Sequence, residues 1–207
     1  MMDRIDEPSL LEQLKSAALQ RGLIDPHTPI GPAEAFSLVR DMPYQRASDR
    51  RPETLIAEWR GTCSGKHYLL RDLFAELGYP SHVMACTSVQ ELTADQVPTE
   101  LHDLWSAADG RFVDVHNYLV LELPASDMIV DATWPLASAK YGLTVNPAFV
   151  LGQDQNLACI PLQHWPIPAN QDPQAFKENL LRQRFTPAEL EFRDAFILAL
   201  GEWLSAG

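Results

Sequence analysis

The chain has 207 residues, of which 46% are hydrophobic and 21% charged, a composition typical of a soluble globular protein that is long enough to bury one core. Its formal net charge of −12 argues against nucleic acid as a partner, because proteins that bind phosphates usually carry basic patches. The absence of any run of about 20 apolar residues argues equally against a membrane partner.

The first residues are charged and lack the apolar stretch of a secretory signal, and three cysteines, an odd number, do not predict a disulfide framework. We therefore expect a cytoplasmic protein with reduced thiols. The cysteines and histidines also lack the spacing of a zinc site, and we expect neither a metal nor an organic cofactor.

Helix signals lie near both ends of the chain. Ser9 and Glu12 form a capping box that opens a helix ending at about residue 21, and a second helix is predicted over residues 33–41. Thr186 and Glu189 form another capping box, which opens the last helix. We expect the flanking segments to cover a core within a single domain; their ranges are residues 1–58 and 165–207, around a core at about residues 59–134.

The middle of the chain predicts one helix followed by strands. Leucine and phenylalanine residues recur at helical intervals over residues 61–77, and Gly78 ends this helix. Runs rich in branched and aromatic residues predict strands, over residues 81–87, 112–123, 128–133 and 157–162. A short turn joins the second strand to the third, which predicts an antiparallel hairpin. This order of elements predicts an α+β fold.

Residues 89–110 interrupt the predicted strands with a polar, irregular stretch that contains a short helix near residues 101–107. The insertion falls between the strand that follows the central helix and the strand of the hairpin. Two interpretations stay open, a lid over a site and ordinary surface packing.

Cys63 stands at the first turn of the central helix, between Gly61 and Gly65. Unpaired backbone N–H groups and the positive end of the helix dipole stabilise a thiolate there, and the same N–H groups can stabilise an oxyanion. The glycines leave room for a substrate to approach the backbone. The alternative is a small buried cysteine without chemistry, which is our interpretation of Cys86 and Cys159.

A thiolate nucleophile needs a base, and the base needs a group that orients it. His116 lies in the middle of a predicted strand, and the hairpin places Asp131 on the next strand, within direct or diagonal reach of His116. A buried aspartate needs a hydrogen-bonded partner, which favours this pairing. The alternatives are a core histidine bonded to backbone and an aspartate that caps a strand end. Asp114 shares the strand face of His116 and is a candidate to modulate it or to bind a cation.

Four other histidines are rival bases. His67 follows Cys63 by one helical turn and can contact its thiol, but the sequence shows no acidic residue that would orient it. His82 starts a strand, His102 lies in the polar insertion, and His164 follows the last predicted strand. We expect structural or surface roles for these four.

The motifs together resemble the transglutaminase-like superfamily. They cover residues 59–134, about a third of the chain, and comprise Gly61-Thr62-Cys63, the Leu77-Gly78 turn, the strand with His116, and Val130-Asp131 on the next strand. The resemblance implies a papain-like fold, in which a buried helix carrying the cysteine at its N-terminus packs on an antiparallel sheet. It also implies that Cys63 is the nucleophile, His116 the base and Asp131 the group that orients it.

Two subgroups can be compared more closely. Arg60-Gly61-Thr62-Cys63 is similar to the Arg-Gly-Gly-x-Cys motif of arylamine N-acetyltransferases, from which it differs by one glycine. The sequence contains neither the aromatic-rich cysteine motif nor the calcium sites of the transglutaminases that cross-link proteins.

We therefore expect a cysteine enzyme that forms a thioester acyl-enzyme, as an acyl transferase or as an amide or ester hydrolase. Its partners would be an acyl donor (a peptide, amide, ester or thioester) and, for transfer, an amine. Small and aromatic residues beside the triad are expected to line the cleft or else to pack in the core: Trp59, Gly61, Thr62, Tyr118 and Trp134. Two alternatives stay open, an inactive domain that binds a peptide or protein, and a coenzyme A-dependent acyl transferase.

Overall fold

The computed structural model describes residues 8–206 and has an α+β architecture, which confirms the predicted fold class. The helices are α1 Leu10–Gln20, α2 Pro32–Arg40, α3 Pro52–Glu58, α4 Cys63–Glu76, α5 His102–Ser106, α6 Pro173–Arg184 and α7 Pro187–Ala206. The strands are β1 Ser81–Glu91, β2 Arg111–Leu121, β3 Met128–Val130 and β4 Gln163–Pro166. The first seven residues, on which the expectation of no secretory signal rests, lie outside the described part, as does the last residue. Between residues 8 and 206 no helix is long and apolar enough to cross a membrane.

The sheet has the strand order β3-β2-β1-β4, and every neighbouring pair is antiparallel. β1 and β2 pair along their whole length, and β2 turns into β3 through the predicted hairpin. Leu119 pairs with Val130 in that hairpin. The register therefore carries Asp131, one residue beyond β3, to the level of Tyr118 and diagonal to His116, as the sequence predicts.

α4 lies at the centre of the molecule, between the sheet and the helices α1, α2 and α3. Its side chains Leu69, Leu70, Leu73 and Phe74 are all fully buried. They belong to the main core, which also contains residues of β1, β2 and β3 and of the covering helices. Burying each large apolar side chain contributes about 1.5–3 kcal/mol, so this stripe holds α4 rigidly against the strands that carry His116 and Asp131.

The helix ends follow the capping signals of the sequence. Ser9 and Glu12 form the predicted capping box of α1, and Thr186 and Glu189 form that of α7. Gly78, just beyond α4, has a φ of 83°, a left-handed conformation that glycine adopts without strain.

Three features differ from the sequence-based expectation. The predicted strand over residues 157–162 is wrong: the strand is β4, Gln163–Pro166, and the apolar residues Ile160 and Leu162 before it are 76% and 65% exposed. Strand ends also differ: β1 continues to Glu91, four residues beyond its predicted end, and β3 ends at Val130, three residues before its predicted end. Helices α3 and α6 have no counterpart in the expectation, although each begins with proline at its first turn.

The polar insertion forms short 3-10 turns and α5, and it packs on α7. Val97, Leu101 and Phe196 are the buried members of a second, smaller hydrophobic cluster at this contact. The insertion is thus a packed wall next to the sheet, beside α7.

Candidate active site

Cys63 is the first residue of α4 and is only 3% exposed. Thr62 before it has extended backbone and caps the helix without a side-chain hydrogen bond. The N–H groups of this first turn have no partners within the helix, so they remain available near the thiol. A Cβ on either Gly61 or Gly65 would lie within 2.9 Å of the Leu55 side chain. Both glycines therefore allow α3 to pack against α4, and the room beside them is taken by Leu55.

His116 and Asp131 form a buried pair beside α4. His116 Nε2 donates to Asp131 Oδ2 at 2.8 Å. The carboxylate also accepts the backbone N–H of Ala158 at 2.8 Å and that of Thr133 at 3.0 Å. Burial alone would raise the pKa of Asp131, but the interaction with His116 holds it well below its ordinary value. Asp131 is therefore ionised and fixed in orientation.

The Cys63 thiol and the imidazole of His116 line the same cavity, and each shifts the pKa of the other. Since Nε2 is committed to Asp131, Nδ1 is the ring nitrogen left for the thiol. Burial would lower the pKa of His116, but the Asp131 carboxylate and the thiol raise it well above its ordinary value. The structure thus brings together the nucleophile, base and orienting group that the sequence proposes.

Lys177, on α6, is a fourth charged member of the site that the sequence did not indicate. Its Nζ lies 3.6 Å from Cys63 Sγ and 3.1 Å from Ser64 Oγ, and the residue is 3% exposed. Burial would raise the pKa of the Cys63 thiol, but the Lys177 ammonium and His116 lower it to about 6. At pH 7 about nine molecules in ten therefore carry the thiolate.

Asp114 connects the site to the last two helices. Arg193 of α7 donates to Asp114 Oδ1 at 2.7 Å through Nε, and Lys177 Nζ lies 3.8 Å from the same oxygen. Burial would raise the pKa of Asp114, but the two cations lower it. Asp114 is therefore occupied by side chains of α6 and α7. Within residues 8–206 no group of three or more His, Cys, Asp or Glu side chains is arranged to hold a metal ion.

His67 serves the framework of the site. Its Nδ1 lies 2.7 Å from the carbonyl oxygen of Cys63, and the N–H of Ala132 donates to its Nε2 at 2.9 Å. A backbone N–H can only donate, so Nε2 is the acceptor and Nδ1 carries the proton. Burial lowers the pKa of His67 to about 4, so the ring is neutral and both its nitrogens are in use. His67 thereby ties the first turn of α4 to the segment that carries Asp131.

The other histidines lie outside this network. His82 approaches Glu122 at 3.3 Å on the surface, and His102 Nε2 lies 2.9 Å from the carbonyl oxygen of Ala94. His164 Nδ1 hydrogen-bonds the hydroxyl of Tyr118 at 2.9 Å.

The residues expected to line a cleft are divided between several places. Thr62 and Trp134 each line a cavity that contains Cys63. Gly61 lines a neighbouring surface cavity, and Tyr118 is engaged with His164. The guanidinium carbon of Arg21 lies over the Trp59 ring, 4.8 Å from the ring centroid. Trp59 lines a separate cavity between the first helices.

Two cavities open from Cys63 and share Cys63, Tyr44 and Ile197 in their walls. The first, which we call the polar arm, has a volume of about 280 Å³ and runs along α6 and α7 past Ser64 and Lys177. The second, which we call the apolar arm, has a volume of about 130 Å³ and contains His116. The polar insertion supplies part of the wall of the apolar arm, through Leu92, Gln96 and Pro98.

The other two cysteines lie behind the apolar arm. Cys86 Sγ and Cys159 Sγ are 3.8 Å apart, and Cys86 is fully buried in β1. The contact with Cys86, together with burial, raises the pKa of the Cys159 thiol, which therefore stays protonated at neutral pH. The shift at Cys159 is thus opposite to that at Cys63, whose pKa the site lowers.

The site thus contains a thiolate at a helix start, a histidine and aspartate in series behind it, and a lysine beside it. No protein-family model matches the chain, and no curated protein matches it in sequence.

Proposed function

We propose that the protein is a cysteine-dependent acyl transferase or hydrolase of amides, esters or thioesters, built on a papain-like, transglutaminase-like core. One observation carries the proposal: His116 Nε2 donates to the Asp131 carboxylate at 2.8 Å, and the same ring lines a cavity together with the Cys63 thiol, whose pKa it lowers. This series of nucleophile, base and orienting group is the arrangement that activates a thiol for acyl transfer.

The order of the elements supports the transglutaminase-like assignment. The cysteine opens the helix that packs on the sheet; the histidine follows on β2, and the aspartate comes directly after β3, the antiparallel neighbour of β2. This is the arrangement that the resemblance of the sequence implies, and it arises from residues far apart in the chain.

In the first step, the Cys63 thiolate attacks the carbonyl carbon of the donor. The N–H groups at the start of α4 stabilise the oxygen that becomes negative. The bond from this carbon to the leaving nitrogen, oxygen or sulfur then breaks, and protonated His116 gives its proton to the leaving group. The products of this step are a thioester on Cys63 and a neutral His116.

In the second step, neutral His116 accepts a proton from water or from an amine as that molecule attacks the thioester. The bond to Cys63 Sγ breaks, and the thiolate and the protonated histidine are restored. Asp131 stays ionised throughout and stabilises the imidazolium, because its own pKa lies well below neutrality. Water gives a carboxylic acid and an amine gives an amide.

The second candidate function is a non-catalytic domain that binds a peptide or protein in the cleft. It is favoured by the 3% exposure of Cys63 and by the Lys177 ammonium that lies against its sulfur, since both restrict the approach of a donor. A binding domain predicts that no acyl group is ever carried by Cys63.

A panel of acyl donors separates these functions. Aryl esters, thioesters including acetyl-CoA, and peptide anilides are each incubated with the protein, with and without hydroxylamine, and the released leaving group and the hydroxamate are measured. An enzyme turns over at least one class; hydroxamate formation in competition with water indicates transfer. Cys63→Ser and His116→Ala should abolish the reaction, whereas Cys86→Ser, a matched change at a buried cysteine, should retain it. Turnover that survives in Cys63→Ser would refute the proposal.

A further inference from the structure

The two arms that meet at Cys63 differ in charge. Five basic and two acidic side chains line the polar arm, in a protein whose net charge is −12. The buried carboxylate of Asp114 contacts Arg193 and Lys177. If its negative charge is included, the polar arm still has an excess of positive charge. A concave site of this sign concentrates anions, and it does so against the field of the rest of the molecule.

Two of the basic side chains of the polar arm have a weak ion pair or none among the described residues. Arg182 is 65% exposed and approaches Glu178 only at 3.9 Å. Arg50 is exposed, and within residues 8–206 no carboxylate lies at ion-pair distance from it. Guanidinium groups bind carboxylates in a bidentate manner, so these two side chains can receive an anionic group that enters from solvent.

The walls of the apolar arm are mostly hydrophobic. They include Phe112, Trp134, Leu143, Phe196 and Leu200. Three polar groups of residues in these walls are buried without a hydrogen-bond partner: the indole N–H of Trp134 and the hydroxyls of Ser88 and Thr133. Buried polar groups are costly unless a partner reaches them, so this arm suits a largely apolar group that carries hydrogen-bonding atoms.

The position of His116 assigns each arm to one side of the bond that breaks. The leaving group takes its proton from His116, and it must therefore lie within hydrogen-bond reach of that ring. His116 lines the apolar arm and not the polar arm, whereas Ser64 and Lys177 line the polar arm and not the apolar arm. The leaving group consequently occupies the apolar arm and the acyl group the polar arm.

Building on the proposed function, we infer that the acyl donor is bipartite: an acyl group that bears a carboxylate or another anionic group binds in the polar arm near Arg50 and Arg182, and an apolar leaving group binds beside Trp134 and Phe196.

The first test does not depend on turnover. Cys63 is alkylated with iodoacetate, which is anionic, and with iodoacetamide, its neutral counterpart, and modification is quantified by peptide mass spectrometry. The ratio of the two rate constants, divided by the ratio for a free thiol such as N-acetylcysteine, should exceed 1 by about threefold or more. It should fall by about two- to fivefold in the double variant Arg50→Gln/Arg182→Gln and in 1 M salt, while Arg71→Gln, a matched change beside Asp72, should leave it unchanged.

The second test exchanges the two parts across the scissile bond. The S-benzyl thioester of adipic acid has an anionic acyl group and an apolar leaving group; the phenylacetyl thioester of 3-mercaptopropionate has the reverse. We expect the first to have a kcat/KM about tenfold or more above the second, and above the monomethyl ester of the first. The advantage should shrink in Arg50→Gln/Arg182→Gln through KM.

The possible results separate this inference from the proposed function. Equal rates for the exchanged thioesters, or a preference for the second, would overturn the assignment of the arms while leaving the cysteine chemistry intact. A normalised alkylation ratio at or below 1, or one that the double variant does not change, would overturn the anionic site. Failure of every thioester, with the alkylation ratio as expected, would refute the proposed catalysis and retain an anion-binding arm.

Discussion

Replacing Lys177 with methionine should convert Cys63 from a thiolate into a thiol at neutral pH. Methionine keeps most of the length of the lysine side chain and its packing on α6, and it removes only the charge 3.6 Å from Cys63 Sγ. Lys177 and His116 are the groups that lower the pKa of Cys63 most. In the variant only His116 remains to oppose burial, which raises this pKa.

The size of the effect follows from the distance between the charges. At an effective dielectric constant of about 20, unit charges 3.6 Å apart attract each other by about 5 kcal/mol. This corresponds to roughly three pKa units, and only 4% of the Lys177 side chain is exposed to screening solvent. If His116 and local relaxation replace a third of this attraction, the pKa of Cys63 rises from about 6 to ~8. The thiolate fraction at pH 7 then falls from about nine-tenths to about one-tenth.

The pKa of Cys63 is measured from the ultraviolet absorbance of the thiolate during a pH titration, with Cys63→Ser as the blank. Lys15→Met is a matched control, because Lys15 lies on α1 and lines neither arm. A Cys63 pKa in Lys177→Met within about half a unit of the wild-type value would refute the electrostatic role of Lys177.

Further predictions concern the pair behind the thiol and the packing around it. Asp131→Asn should lower the pKa of His116, because Asp131 raises this pKa in the native protein; imidazole NMR titration measures the change. The kcat/KM for any substrate found should drop about a hundredfold or more, and the high-pH limb of its pH profile should move to lower pH. His67→Leu should leave the buried N–H of Ala132 unpaired and reduce the free energy of unfolding by about 1–3 kcal/mol in urea titrations; an unchanged value would contradict the framework role of His67. Gly201→Ala should reduce it by about 1–3 kcal/mol, because a Cβ there would lie 2.6 Å from the carbonyl oxygen of Tyr44, whereas Glu202→Ala on the exposed side of α7 should change it by about 0.5 kcal/mol or less.

The relation of Cys63, His116 and Asp131 could be anticipated because it depends on local periodicity. The helical stripe after Cys63 orients its first turn, and the short turn between β2 and β3 fixes the register that carries Asp131 to His116. A strand alternates its side chains with a period of two, so a register error of one residue would have turned Asp131 to the other face.

Lys177 could not be anticipated in the same way. Asp172 and Pro173 are the cap and first residue of α6 and are a recognisable signal for a helix. The face that this helix turns toward Cys63 depends on how it packs on β2 and α7, at a separation of 114 residues in sequence. A lysine in a polar helix gives no sign that it will be buried against a thiol.

The edge of the sheet and the glycines show a second limit of sequence reasoning. Ile160 and Leu162 suggested a strand by their hydrophobicity, yet both are exposed, and the strand forms where Gln163–Pro166 meets the free edge of β1. The glycines beside Cys63 suggested room for a substrate, whereas Leu55 of the unpredicted helix α3 fills that room. Each error arose because the deciding neighbour comes from a distant part of the chain.

The most direct test of the account asks whether Cys63 carries an acyl group and whether His116 is needed to put it there. The protein is mixed with p-nitrophenyl acetate, quenched with acid at short times and digested, and acetylation of each cysteine peptide is quantified in the wild type and in His116→Ala. We expect a rapid burst of nitrophenolate that matches acetylation of Cys63, and little acetylation of Cys86 or Cys159. In His116→Ala the rate should be lower by about a hundredfold or more. Acetylation of Cys63 no faster than that of Cys159, or equally fast without His116, would contradict the triad.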